Sequence, residues 1–398
     1  LDFLLEGGAI AMVGEHLRPN GPVETVEAGG RLLIPGLVDA HVHLDKALIF
    51  SLPGVRNRSG TLSEAIAVMR EVKSSPAWTV SWIKDRARQI LRWELEHGAT
   101  AVRSHVDLEP SGGLVGLDAL LELREEVREW MDLQVCVLPP GDRLQEAATR
   151  SLVEEAVRKG ADLVGGSPHQ CPERAEEAIA WLFDLAGTTG KAVDLHTDET
   201  DDPSVLTAHV VAREAARREM QGRVTASHLC SLDALGEEAA AEVAAELAGA
   251  GVHAVALPPA NLFLRGRGDD RARRRGMTRV HVLKKAGVNV AFASDNIRDP
   301  FCPYGNGDPL EVANLGAQVA QFGTERELTE ALAMVTYRAA GVLGLGDYGL
   351  APGCRGDVVL LDCSSPVEAV LSHSRPALVV RKGKVVVRTQ LNVERLAG

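Results

Sequence analysis

A chain of 398 residues, 45% apolar and 25% charged, has the make-up of a globular protein with room for one large α/β unit and a smaller companion. Its formal charge of −12 disfavours a nucleic-acid backbone as partner, and no apolar run reaches the ~18 residues that a bilayer span demands. Six cysteines without paired spacing exclude a disulfide framework and point to a reducing, cytoplasmic setting. The opening "LDFLLEGGAIAMVG" has no initiating Met and no signal-peptide pattern, and reads as a chain cut within a strand by an unknown length.

Taken in chain order, residues 1–35 are expected to hold short alternating strands separated by turn residues ("EGG", "RPNGP", "EAGG"). Eight β-branched apolar runs follow, at 36–43, 100–107, 133–139, 161–166, 192–198, 223–229, 252–257 and 288–295. Amphipathic stretches such as 80–98 and 176–190 lie between them, several ending in Gly, a common stop signal. Eight strands, each followed by helical sequence, predict a (β/α)₈ TIM-like barrel over 36–350, with an open doubly wound sheet as the competing topology. Residues 351–398 return to short strands, so the two ends, 1–35 and 351–398, are expected to pair into one small β domain. The basic run "RGRGDDRARRRG" (265–276) reads as a solvated or salt-bridged loop and helix start.

Chemistry in such barrels sits at the C-terminal strand ends. Six of the twelve histidines fall there: His41, His43, His105, His169, His196 and His228, with Asp295 closing the last strand. On a strand His41 and His43 share a face, about 7 Å apart along the backbone. With His196 and Asp295 they make three imidazoles and one carboxylate. That donor set suits one divalent metal, zinc or iron, with a position left for water, whose pKa Zn²⁺ lowers to about 7. Glu199, three residues past His196 in "DLHTDET", is the candidate acid on the leaving side, once burial lifts its pKa from about 4.3. His228 in "TASHLC" is the candidate to orient or deprotonate the water, with a fifth-ligand role as the alternative. Asp107 and Asp198 are expected to hold backbone or imidazole groups in place.

The stretches "PGLVDAHVHLDK", "RSGTLSEAI", "VRSHVD", "LHTDET", "VTASH", "NLFLRGRGDDRARRRGMTRV", "GVNVAFASDN" and "DPFCPYGNGDPLEV" occur in the order found in the cytosine deaminase-like branch of the amidohydrolase superfamily, which the chain resembles. "HLDK" and "YGNGD" are also similar to N-alkylammelide aminohydrolases, which act on alkylamino-triazines. The resemblance implies a (β/α)₈ barrel with one divalent metal, Zn or Fe, on His41, His43, His196 and Asp295. It further implies Glu199 as the acid that protonates a ring nitrogen and His228 as the histidine beside the attacking water. Asp295 would also shuttle the water's proton to the leaving amine.

Phe301 falls where an aromatic residue shapes the substrate pocket. Pro140, in "VLPPGD", stands where cytosine deaminases carry a Gln that reads the pyrimidine. Proline supplies no donor, which disfavours cytosine itself. Asn296 replaces a common second Asp. Lys46, His105 and His169 complete the expected substrate contacts.

The function expected is hydrolytic deamination of another amino- or alkylamino-substituted nitrogen heterocycle, releasing ammonia or amine. Two alternatives stay open: a C–N hydrolase of an exocyclic or cyclic amide, and a non-catalytic barrel that keeps the scaffold. The run "ADLVGGSPH" lacks the strand-four lysine of binuclear relatives, and the H-x-E with P-C-x-x-C pattern of the other zinc deaminases does not occur. The expected partner is a small heterocyclic substrate, with no nucleic acid and no membrane; the barrel helices leave area for a homo-oligomer.

Overall fold

The computed structural model describes residues 1–19, 21–391 and 394. Its strands are β1 (Asp2–Glu6), β2 (Ala9–Gly14), β3 (Leu32–Pro35), β4 (Leu37–Val42), β5 (Ala99–Asp107), β6 (Asp132–Leu138) and β7 (Leu163–Gly166). Then come β8 (Ala192–Thr197), β9 (Val224–His228), β10 (His253–Ala256), β11 (Val290–Phe292), β12 (Val358–Leu361), β13 (Pro376–Arg381) and β14 (Lys384–Arg388). Strands β4 to β11 pair in parallel and in chain order, with helices in the connections. Such strands are covered on both faces, which is why each reads as an apolar run rather than an alternating one.

The sheet closes on itself. Val42 bridges Asp295 in parallel, Asp295 N donates to His41 O at 2.8 Å, and His43 N donates to Asp295 O at 3.1 Å. These bonds join the first barrel strand to the last and overturn the open doubly wound alternative. Inside the barrel, space is tight. A Cβ on Gly165 would sit 2.4 Å from Val137 O and 2.7 Å from Asp194 O, so any side chain there would force β6 and β8 apart.

The chain ends meet beside the barrel. Strand β3 pairs antiparallel with β12, followed by β13 and β14 in a four-stranded sheet. The β1–β2 hairpin docks on it through Ile10 N to Cys354 O and Gly356 N to Gly8 O, both 2.8 Å. Ile10, Val358, Leu360, Leu378 and Val380 form a small core there. Arg381 is fully buried and pairs with Asp357 and with Asp132 at the start of β6; Arg355 reaches Asp132 at 2.6 Å. This charged node ties the terminal sheet to the barrel.

The basic run departs from expectation in one respect. It contains no helix start: a short helix, Pro258–Leu264, precedes it and the next begins at Val280. Carboxylates hold the loop instead, with Asp201 accepting from Gly266 N, Asp233 from Gly276 N, and Asp269 pairing with Arg274 at 2.7 Å. Among the described residues, no helix is long and apolar enough to cross a membrane.

Removing one member of a buried ion pair strands its partner in a low-dielectric interior. Arg381→Met is therefore expected to lower unfolding free energy by about 3–5 kcal/mol in urea denaturation. Adding Asp357→Asn should return part of that loss.

Candidate active site and metal centre

The C-terminal rim of the barrel carries several residues in the left-handed backbone region: His228 (φ 73°), Asp198 (54°) and Asp295 (63°). Non-glycine residues adopt it rarely. Here it turns strand ends sharply, so that side chains from β4, β8, β9 and the end of β11 converge. His43 Nε2 lies 3.1 Å from Asp295 Oδ1, His41 Nε2 3.5 Å from the same atom, and His196 Nε2 3.3 Å from His43 Nε2. One donor atom from each of the four residues lies within 4.8 Å of the others, and all four are buried.

These groups fit a cation. His41 Nε2 and both Asp295 oxygens are buried without a hydrogen-bond partner. Burial, reinforced by the neighbouring imidazoles, holds His41 and His196 well below the ordinary histidine range; burial, with Lys46 nearby, does the same for His43. All three rings are thus neutral, as metal ligands must be.

The tautomer of His41 is also set. Ser227 Oγ spends its proton on Asp194 Oδ1 at 3.0 Å, so it can only accept from His41 Nδ1, 3.1 Å away. The lone pair of His41 is then on Nε2, facing the cluster. Asp194 is itself fixed by Arg103 Nη1 at 2.8 Å.

Glu199 and His228 sit beside the cluster, with Nε2 to Oε2 at 3.9 Å. Burial raises the Glu199 carboxyl above its usual range, partly offset by Arg265, whose Nη2 is 3.4 Å from Oε1. Arg265 Nη1 also donates to Glu199 O at 2.9 Å, which pins the backbone. Burial lowers His228 to about 4, so its ring is neutral near pH 7. Its Nδ1 donates to Asn261 Oδ1 at 3.3 Å, leaving Nε2 with a lone pair toward Glu199.

A cavity opens onto these groups. Lys46, Pro140, Asn296 and Phe301, four of the residues expected to contact substrate, line it together with His43, His196, Glu199, His228 and Asp295. His105 does not line it. It is fully buried one layer deeper, stacked on His41 at 3.9 Å with Nε2 3.5 Å from Asp194 Oδ2, so in place of the expected substrate contact it packs beneath His41. His169 is not among the residues lining it; its Nδ1 donates to His196 O at 2.9 Å, which braces that strand end, and its Nε2 is buried without a hydrogen-bond partner. Asp198 holds backbone as expected, accepting from Thr207 N and Ala208 N. A larger cavity of about 480 Å³, lined by Phe263, Arg267, Tyr304 and Val312 among others, holds none of the clustered donors.

A profile of the amidohydrolase family matches residues 83–387. The chain is 33% identical to a pterin deaminase of Rhizobium rhizogenes over 92% of its own length and 84% of that protein's. A 5-methylcytosine deaminase structure from Klebsiella pneumoniae, liganded with 5-fluorocytosine, superposes with a TM-score of 0.92 at 35% identity, covering 99% of this chain and 95% of that one. An N-isopropylammelide isopropylaminohydrolase from Burkholderia multivorans follows with a TM-score of 0.85 at 32% identity, covering 97% and 94%. The chain belongs to the amidohydrolase family. It is a hydrolytic enzyme acting on carbon–nitrogen bonds, in a family that depends on metal.

In this amidohydrolase several site residues escaped the sequence reading. Arg265 lay hidden in a run that looked solvated. Lys73, Glu109 and Arg70 belong to a chain of ion pairs at the cavity: Lys46 and Lys73 grip Asp107 at 2.5 and 2.7 Å, Lys73 holds Glu109 at 2.6 Å, and Arg70 reaches Glu109 at 3.2 Å. Two of these come from the helix Leu62–Lys73, whose Leu62, Ile66 and Met69 also wall the cavity.

Groups that orient a metal ligand usually cost 10–100-fold in metal affinity when lost. Ser227→Ala should weaken metal affinity by about that factor, measured by chelator competition, while the thermal midpoint of the metal-free protein moves little.

Proposed function

We propose that this amidohydrolase is a mononuclear, metal-dependent deaminase that hydrolyses an amino- or alkylamino-substituted nitrogen heterocycle and releases ammonia or an amine. The observation that carries this reading is the convergence of His41, His43, His196 and Asp295 beside the Glu199–His228 pair, on one cavity. The four would hold one divalent cation, zinc or iron, since three imidazoles and a carboxylate suit both. When bound, the cation supplies Lewis acidity that makes water acidic enough to serve as nucleophile near neutral pH.

The chain's own residues divide the proton traffic. His228, neutral through burial, orients the attacking water through the lone pair on Nε2. Glu199, whose carboxyl burial raises above its usual range, gives its proton to the ring nitrogen next to the attacked carbon. Asp295 accepts a proton from the water and passes it to the departing amine. Arg265 anchors Glu199 so that its acid face stays on the cavity.

The relatives named above act, by their names, on 5-methylcytosine, pterin and N-isopropylammelide, all nitrogen heterocycles, which supports the substrate class. The cavity favours a neutral one. Lys46 and Lys73 pair with Asp107, Lys73 and Arg70 with Glu109, and Arg70 also with Asp142, so among the described residues three carboxylates balance these three cations and leave none free for an anionic substituent. A non-catalytic scaffold would bear the cost of burying these unsatisfied donors without return. The free thiols support a cytoplasmic setting.

Glu199→Gln should lower turnover by about 100- to 10,000-fold, the usual contribution of general acid catalysis, while elemental analysis finds metal content unchanged. Turnover of a panel containing 5-methylcytosine, pterin and N-isopropylammelide supplies the assay. Undiminished turnover by the variant removes Glu199 from the proton path.

A further inference from the structure

Leu138, Pro140, Ser167 and Gln170 line the same cavity, and apart from the Ser167 hydroxyl, which can donate or accept, their polar groups are mostly spent. Leu138 O accepts from Leu108 N at 3.0 Å and Pro140 O from Arg143 N at 3.1 Å; Pro140 has no N–H to give. Gln170 is different. Its Oε1 accepts from Gly141 N at 2.9 Å. A backbone N–H can only donate, so the oxygen must occupy that position, and the amide orientation follows from chemistry.

The Gln170 Nε2 group then has two protons and no partner among the described residues. Gly141 is what allows this bond. A Cβ at Gly141 would fall 1.9 Å from Ser167 O, so only glycine lets the segments after β6 and β7 come this close.

We propose that Gln170 is a specificity residue: its Nε2 donates to a hydrogen-bond acceptor on the substrate, a ring carbonyl or an unprotonated ring nitrogen. An analogue with an amino group at that edge meets donor with donor. The oxygen cannot turn round to help, because doing so would leave Gly141 N unpaired. The substrate class narrows accordingly, to heterocycles that combine a leaving amino group with an acceptor on the edge facing β7. This inference rests on the deaminase reading above.

The experiment compares pairs that differ only at the acceptor: cytosine with 2,4-diaminopyrimidine, and pterin with 2,4-diaminopteridine. For whichever pair the wild type turns over, the carbonyl member should lead in kcat/KM by about 100-fold, since a site built to hydrogen-bond a group rejects its mismatch strongly. Gln170→Glu keeps an oxygen for Gly141 N and replaces the donor with an acceptor. It should cut that preference at least about tenfold, with metal content unchanged.

Gln170→Met removes the donor without adding charge and should also erase the preference; it serves if the Glu variant folds poorly. A preference unaltered in both variants overturns the role of Gln170 alone. No turnover of any pair, or of N-isopropylammelide, by the metal-loaded wild type overturns the deaminase reading, and this inference with it.

Discussion

Two backbone hydrogen bonds govern this molecule: Asp295 N to His41 O, and His43 N to Asp295 O. They close the barrel by stitching its first strand to the stretch after its last, and they are made by the very residues whose side chains form the donor cluster. Barrel closure and ligand assembly are thus one event. The 3.1 Å approach of His43 to Asp295 is dictated by that seam rather than by flexible side chains finding each other. Building a site on strand ends rather than long loops gives the positional accuracy that metal ligands and proton donors need.

Beneath the cluster lies a second tier that sets its electronic state. Arg103 pairs with Asp194, Asp194 accepts a hydrogen bond from the Ser227 hydroxyl, and Ser227 thereby dictates which nitrogen of His41 is free. His105 packs under His41 and keeps the ring plane in place. Burial does the rest by holding the imidazoles well below their ordinary range, and it works in the opposite sense on the Glu199 carboxyl, which it raises. One physical cause, exclusion of water, favours the uncharged form of the imidazoles and of the Glu199 carboxyl side by side.

Much of this was readable from the chain. The eight strands stood out because parallel strands buried on both faces are unbroken apolar runs, and β5 at Ala99–Asp107 matches the run at 100–107 within one residue. The donor residues stood out because histidines gathered at strand ends. Depth did not. His105 and His169 lie at strand ends like the others, yet one sits a layer below and the other bonds the His196 carbonyl, and sequence position carries no coordinate along the barrel axis.

Arg265 was masked by its company, since five further arginines on the same run face outward or pair within the loop. The helix Leu62–Lys73 hid its role differently. Its pattern is that of any amphipathic helix, and whether its apolar face covers a barrel wall or a cavity is settled by tertiary packing alone.

The seam between His41 and Asp295 joins positions 254 residues apart, near opposite ends of the barrel sequence. No partial chain can therefore present a finished set of donors: until residue 295 is synthesised and docked, two histidines and a third wait without their carboxylate. Assembly of the four side chains therefore reports closure of the barrel itself, and a chain that stops short of residue 295 lacks the seam.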